Sequence, residues 1–135
     1  MYTPLNNLTI LVVDDDADSR YVLRSVLEQA GALTLAAQSV GDAITIFRRS
    51  PSHGIVADIR LGDSDGYTLI KAIRQHNLEY RGFTLAIAVT GFGSPEDEDR
   101  ALTAGFDVYL RKPVDPDHLV NVIADFLGGQ TDLAA

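Results

Sequence analysis

The sequence predicts an α/β fold: a five-stranded parallel sheet with helices on both faces, a three-layer α/β/α sandwich. Three observations lead there. Apolar runs at 8–13, 33–37, 54–57, 84–89 and 108–110 lack polar alternation, as strands covered on both faces do. Amphipathic stretches of helical spacing fall between them. The β-α order repeats five times without an internal linker, and crossover helices of this length force parallel strands and right-handed connections.

Each element follows in order. The first strand runs into "ILVVDDDADSR" (10–20), where Asp14, Asp15 and Asp16 stand side by side with Asp18 close behind. Asp16 or Asp18 is placed to cap the first helix, whose stripe is Val22, Leu23, Val26, Leu27 and Ala30, stopped by Gly31. Ser39-Val-Gly-Asp42 fits the capping pattern of the second helix, with Ala43, Ile44 and Phe47 as its stripe. "GDSDG" (62–66) reads as turn and N-cap chemistry before a third helix carrying Leu69, Ile70 and Ile73. Ser94-Pro-Glu-Asp97 opens the fourth, with proline at its first position, and Gly105 closes it. Asp115-Pro116 opens the fifth, with the stripe Leu119, Val122, Ile123, Phe126, Leu127 and a stop at Gly128. One domain over 8–127 is expected, after a lead-in of 1–7 and before a flexible tail of 128–135.

Composition narrows the function classes. The chain has 135 residues, 46% hydrophobic, enough for one domain with a real core. Its net charge is −8, from 19 acidic and 11 basic residues. That balance lacks the electrostatic footprint of nucleic-acid binding. No apolar run approaches the roughly 20 residues of a membrane span, and "MYTPLNNLT" has neither the basic nor the apolar region of an export signal. Cysteine is absent, which removes disulfides and thiolate metal sites. A cytoplasmic protein is expected.

In open parallel sheets the functional site lies beyond the carboxyl ends of the strands. There the first strand delivers Asp14 and Asp15, the third Asp58, the fourth Thr90 and the fifth Lys112. Three neighbouring carboxylates raise one another's pKa unless a cation intervenes. Magnesium suits carboxylate oxygens and retained waters. With Lys112 it would balance the three negative charges and favour a phosphoryl group in transfer. Asp58, standing alone on the central strand, is the candidate nucleophile for aspartyl-phosphate chemistry, while Asp14 and Asp15 are paired as ligands would be.

These motifs resemble the receiver domain of bacterial two-component response regulators. "VVDDD" resembles the acidic pair, "ADIRLGDSDG" the phosphoacceptor loop, "AVTG" the switch hydroxyl and "YLRKP" the switch aromatic with its lysine. The resemblance spans about residues 8–127, with all motifs in order. It implies a flavodoxin-like fold of strand order 2-1-3-4-5. It implies that Asp58 takes phosphate from the phosphohistidine of a sensor histidine kinase or a phosphotransfer protein. Asp15 would then hold Mg²⁺ directly and Asp14 through water, with the Arg60 carbonyl and Asp58 as further ligands. Thr90 and Lys112 would contact the phosphoryl group, Tyr109 would swing inward with Thr90, and the Lys112–Pro113 bond would be cis. A downstream protein would read a face made of 94–104, 108–112 and 116–127, with a monomer or a weak phosphorylation-dependent dimer as the assembly.

Where the family usually carries proline after the acceptor, this chain has Gly62. Arg60 and Phe92 occupy positions that modulate hydrolysis in the family, and a long-lived phosphoaspartate is expected from them. Two other readings compete. A phosphorylation-independent receiver-like binding module would keep the fold without the chemistry. A haloacid-dehalogenase-type phosphohydrolase would use Asp14-x-Asp16, yet leaves Asp58 and Thr90 poorly spaced; turnover of a generic phosphate ester separates it. The receiver reading expects no turnover of external substrates. His53, His76 and His118 show no ligand spacing and read as surface residues.

Overall fold

In the computed structural model, residues 3–61, 64–91 and 95–128 are described, with the backbone alone at 60, 61, 64 and 65. The chain runs β1 (Thr9–Val13), α1 (Ala17–Gln29), β2 (Leu33–Ala37), α2 (Val40–Arg49) and β3 (Gly54–Asp58). A short hairpin of β4 (Arg60–Leu61) and β5 (Ser64–Asp65) follows, then α3 (Gly66–Tyr80) and β6 (Leu85–Thr90). The last elements are α4 (Pro95–Ala104), β7 (Val108–Arg111), α5 (Pro116–Ile123) and a π-helical turn at Ala124–Gly128. The main sheet is parallel throughout, in the order β2-β1-β3-β6-β7. With the hairpin set aside, this is the expected 2-1-3-4-5 order of the flavodoxin-like fold.

Period-two alternation along the strands divides the core. Leu11, Val13, Ile55 and Ala57 join Phe47, Ile70, Ile73 and Ala101 beneath α2, α3 and α4. Ile10, Val12, Val56 and Ile87 join Leu23, Leu27, Leu119 and Ile123 beneath α1 and α5. Both faces are covered, so β6 is buried along its whole length. Burial of a side chain such as Ile87 contributes about 1.5–3 kcal/mol. The lead-in joins this core through Leu5, which is fully buried and donates its N–H to the Ala30 carbonyl at 2.9 Å.

Caps set the helix starts. Asp16 accepts from the N–H groups of Asp18 and Ser19, Ser39 from Asp42, and Asp115 from Asp117. Gly31 and Gly105 follow α1 and α4 with φ of 104° and 128°, the left-handed region that glycine enters without strain.

Several expectations shift. Val22 is 56% exposed: it sits at the edge of its stripe, where the 113–116 loop leaves a groove open between α1 and α5. Phe126 is 50% exposed while Leu127 is buried, because the wider π turn advances each residue by a smaller angle. After Ile123, Leu127 therefore stays inward while Phe126 rotates out. Ser64 and Asp65 pair with Leu61 and Arg60 as a hairpin instead of forming only a turn and cap. His76 is half-buried, its ring 5.0 Å from that of Phe47 and 4.5 Å from that of Tyr80, so it is not a plain surface residue. Gly62, Asp63, Phe92, Ser94 and 129–135 lie outside the described residues.

Candidate functional site

The parallel strands bring their carboxyl ends to one edge of the sheet, and the site is built there. β1 ends at Val13, and the next N–H, that of Asp14, still bonds the Ala37 carbonyl of β2 at 3.1 Å. That ladder bond holds Asp14 at the sheet edge with 0% exposure. A carboxylate so buried needs full hydrogen bonding. Its Oδ1 accepts the Asp16 N–H at 2.9 Å and its Oδ2 accepts from Lys112 Nζ at 3.0 Å. Arg20 Nη1 donates to the Asp14 carbonyl at 2.7 Å, a tie that no motif in the sequence announces.

β3 delivers Asp58, whose side chain is 13% exposed, and Lys112 Nζ donates to its Oδ2 at 3.2 Å. One ammonium therefore bridges the carboxylates of two strands. Lys112 is carried just past β7, where its own N–H bonds the Thr90 carbonyl at 2.8 Å. Burial pushes its pKa down, but hydrogen bonds and charges from Asp14 and Asp58 outweigh burial and hold it above the ordinary value. Thr90 ends β6 fully buried, with Val89 in register with Asp58. The Lys112–Pro113 peptide bond is cis.

Asp15 is exposed, yet its carboxylate joins the group: Asp14, Asp15 and Asp58 each offer an oxygen within 4.8 Å of the others. This hard, all-oxygen donor set, open on one side through Asp15, fits a small divalent cation of the magnesium type. Arg60 follows two residues behind Asp58 in β4, and Gly66 is pressed against the same corner. Its N–H bonds the Ile59 carbonyl at 3.0 Å, and a Cβ there would lie 2.9 Å from Ile59 Cα. Glycine is what lets α3 begin so close to the acceptor strand.

Tyr109 is not gathered into the acidic cluster. It packs against the core cluster beneath α2, α3 and α4, and its hydroxyl is buried without a partner among the described residues. Its pKa is raised, first by burial and next by Asp97, against a lowering by Arg111.

A sheet edge where three carboxylates and a lysine meet, beside a strand that ends in a buried threonine, defines an α/β domain with a candidate cation site. The sequence profile of the response regulator receiver domain matches residues 10–124. The chain belongs to that family, a family of signalling domains. It is 38% identical over 123 residues to the uncharacterized 14.6 kDa protein in the sodA1 3′ region of Leptolyngbya boryana, covering 90% of this chain and 92% of that protein. It is 34% identical over 112 residues to the acid tolerance regulatory protein ActR of Sinorhizobium medicae. That match covers 83% of this chain but only 56% of ActR. Among solved structures, the CheY-like receiver domain from Methanospirillum hungatei superposes with a TM-score of 0.79 at 32% identity, covering 93% of this chain and 97% of that one. These matches lend no support to the phosphohydrolase or to the phosphorylation-independent module.

Proposed function

We propose that Asp58 is the phosphoacceptor of a two-component phosphorelay. The observation that carries this reading is the Lys112 bridge, which joins Asp58 to the buried Asp14 inside a three-carboxylate cluster. Asp58 is the carboxylate of the bridged pair that retains some exposure, so an incoming phosphoryl group can reach it from solvent. The Asp58 oxygen forms the new P–O bond as the P–N bond of a donor phosphohistidine breaks, and the electron pair leaves with the imidazole.

Asp14, Asp15, Asp58 and the Arg60 carbonyl would hold Mg²⁺. When bound, the ion neutralises charge that builds on the phosphoryl oxygens. Lys112 pairs with one of those oxygens and Thr90 donates its hydroxyl to another. Arg60 and Phe92, at the positions that modulate hydrolysis in the family, would slow loss of the phosphoryl group. The chain then acts on itself and turns over no external substrate. The unit that carries this chemistry is 8–127, flanked by 1–7 and 128–135.

The donor is a sensor histidine kinase or a phosphotransfer protein. An apolar groove of ≈ 480 Å³ between α1 and α5 opens beside Lys112, lined by Val22, Val26, Pro113 and Leu119, and suits a partner helix. After transfer, Asp58 carries a charge of about −2, which draws Thr90 inward and lets Tyr109 follow. The face of α4, β7 and α5 then presents a changed surface to a downstream protein or to a second copy. Among the described residues no helix is long and apolar enough to cross a membrane.

Intact mass after incubation with a small phosphodonor tests the assignment, with and without Mg²⁺, on wild type and Asp58→Asn. The expected result is one added phosphoryl group, dependent on the metal and lost in the variant. Phosphorylation that survives in Asp58→Asn would overturn the assignment.

A further inference from the structure

The opposite edge of the sheet, where the strands begin, carries a second cleft that the phosphoacceptor chemistry does not use. It has a volume of ≈ 470 Å³ and lies between the end of α2, the loop into β3, the last turns of α3 and the loop into β6. Small-ligand pockets commonly span about 300–1,000 Å³. Three features distinguish it from an incidental surface dent.

The first is its aromatic wall. The His76 ring meets that of Phe47 on one side and that of Tyr80 on the other, and Phe83 also lines the cleft. Tyr80 and Phe83 remain 70% and 53% exposed, although such rings gain by being covered. The second is Ser52, also in the lining. It is only 4% exposed, and its hydroxyl has no hydrogen-bond partner among the described residues. A buried hydroxyl left unpaired is costly and calls for a reason.

The third is charge. Residues 47–53 and 74–84, which build the cleft, hold Arg48, Arg49, Arg74 and Arg81 against the single acid Glu79, in a chain of net charge −8. Arg74 is committed to Asp107 and to the Gly105 and Thr84 carbonyls. Arg48, Arg49 and Arg81 form no ion pair among the described residues, and Arg48 lines the cleft. Ring surface, an unpaired hydroxyl and uncommitted guanidinium groups together match one chemistry.

We propose that this cleft binds a small planar aromatic carboxylate, its ring against the His76–Tyr80 wall and its carboxylate toward Arg48 and the Ser52 hydroxyl. A neutral ring would leave the arginines unused, and an aliphatic acid would leave the wall uncovered. The site is independent of Asp58, so its failure would say nothing about the phosphoacceptor.

Amide chemical-shift titration of the full chain with indole-3-carboxylate, against indole-3-carboxamide as the neutral control, tests it. Saturable shifts are expected around Ser52, His53, Asn77 and Gly82, with the carboxamide weaker by about tenfold, the loss typical of one charge-assisted hydrogen bond. Arg48→Glu should weaken binding by at least as much, and Ser52→Ala should weaken it while folding as well as wild type, since alanine removes an unpaired hydroxyl. Both variants should still be phosphorylated like wild type. The proposal is overturned if the shifts do not saturate, cluster elsewhere, respond equally to the carboxamide, or are unchanged in both variants.

Discussion

Replacing Lys112 with methionine separates the electrostatic account of the site from a purely structural one. Lys112 Nζ lies 3.0 Å from Asp14 and 3.2 Å from Asp58, a gross attraction of about 5 kcal/mol to each at an effective dielectric of about 20. Desolvation of the ammonium cancels much of this, but deleting it leaves Asp14 buried and unpaired, which generally costs about 3–5 kcal/mol. The Lys112 side chain keeps 26% of its exposure, so screening puts the expected loss at the low end, about 3 kcal/mol. The same deletion removes the positive charge that opposes a divalent cation. Stabilisation by a ligand of the native state grows as RT ln(1 + [L]/Kd), so magnesium should restore more stability to the variant than it adds to wild type. Urea unfolding of both chains, in chelator and in magnesium, measures both terms. Equal stability in chelator, or a magnesium increment no larger in Lys112→Met, would refute the reasoning.

Three further outcomes are expected. Gly66→Ala puts a methyl 2.9 Å from Ile59 Cα and should lower stability by about 1–3 kcal/mol, read from thermal unfolding, while slowing phosphorylation through the shifted acceptor corner. Tyr109, whose pKa folding raises, contributes stability that is intact below about pH 10 and lost as pH climbs through the folded value. The wild type minus Tyr109→Phe ultraviolet titration should accordingly have a higher midpoint in the folded than in the urea-unfolded chain. Arg74→Met strips donors from the Gly105 and Thr84 carbonyls and from Asp107. It should cost about 2–4 kcal/mol in urea unfolding without changing phosphoryl uptake.

What was legible in the sequence is what period and punctuation encode. Strands buried on both faces announce themselves as unbroken apolar runs, and Ser39 and Asp115 announce their helices because a cap is a local hydrogen bond. The sheet order then carried Asp14, Asp58, Thr90 and Lys112 to one edge. The β4–β5 hairpin was not legible, since two-residue strands have no period to read. The π turn was hidden too: α and π spacing both place Leu127 inward after Ile123, and only Phe126 distinguishes them. His76 was half legible: Tyr80 meets it from four residues on in the same helix, a spacing the sequence shows, whereas Phe47 comes from another helix. Arg20 reaches back six residues to a backbone carbonyl, a contact that no side-chain pattern encodes.

The run Asp14-Asp15-Asp16 shows how adjacent like charges become compatible when the backbone turns between them. Asp14 belongs to the sheet edge: its charge is withdrawn from water and met by Lys112 and the Asp16 N–H. Asp16 belongs to α1: its carboxylate faces solvent and accepts from Asp18 and Ser19, where the helix N-terminus favours negative charge. Asp15, between them, has neither a lysine nor a helix terminus as partner among the described residues, and its oxygen lies within 4.8 Å of those of Asp14 and Asp58. Of the three, it is the one whose charge stays available for a cation. Asp15→Asn should therefore weaken magnesium binding while leaving stability in chelator unchanged or raised. Asp16→Ala should do the reverse, costing about 1 kcal/mol of stability with magnesium affinity little altered. If the two substitutions affected metal and stability alike, the division of labour among these aspartates would be wrong.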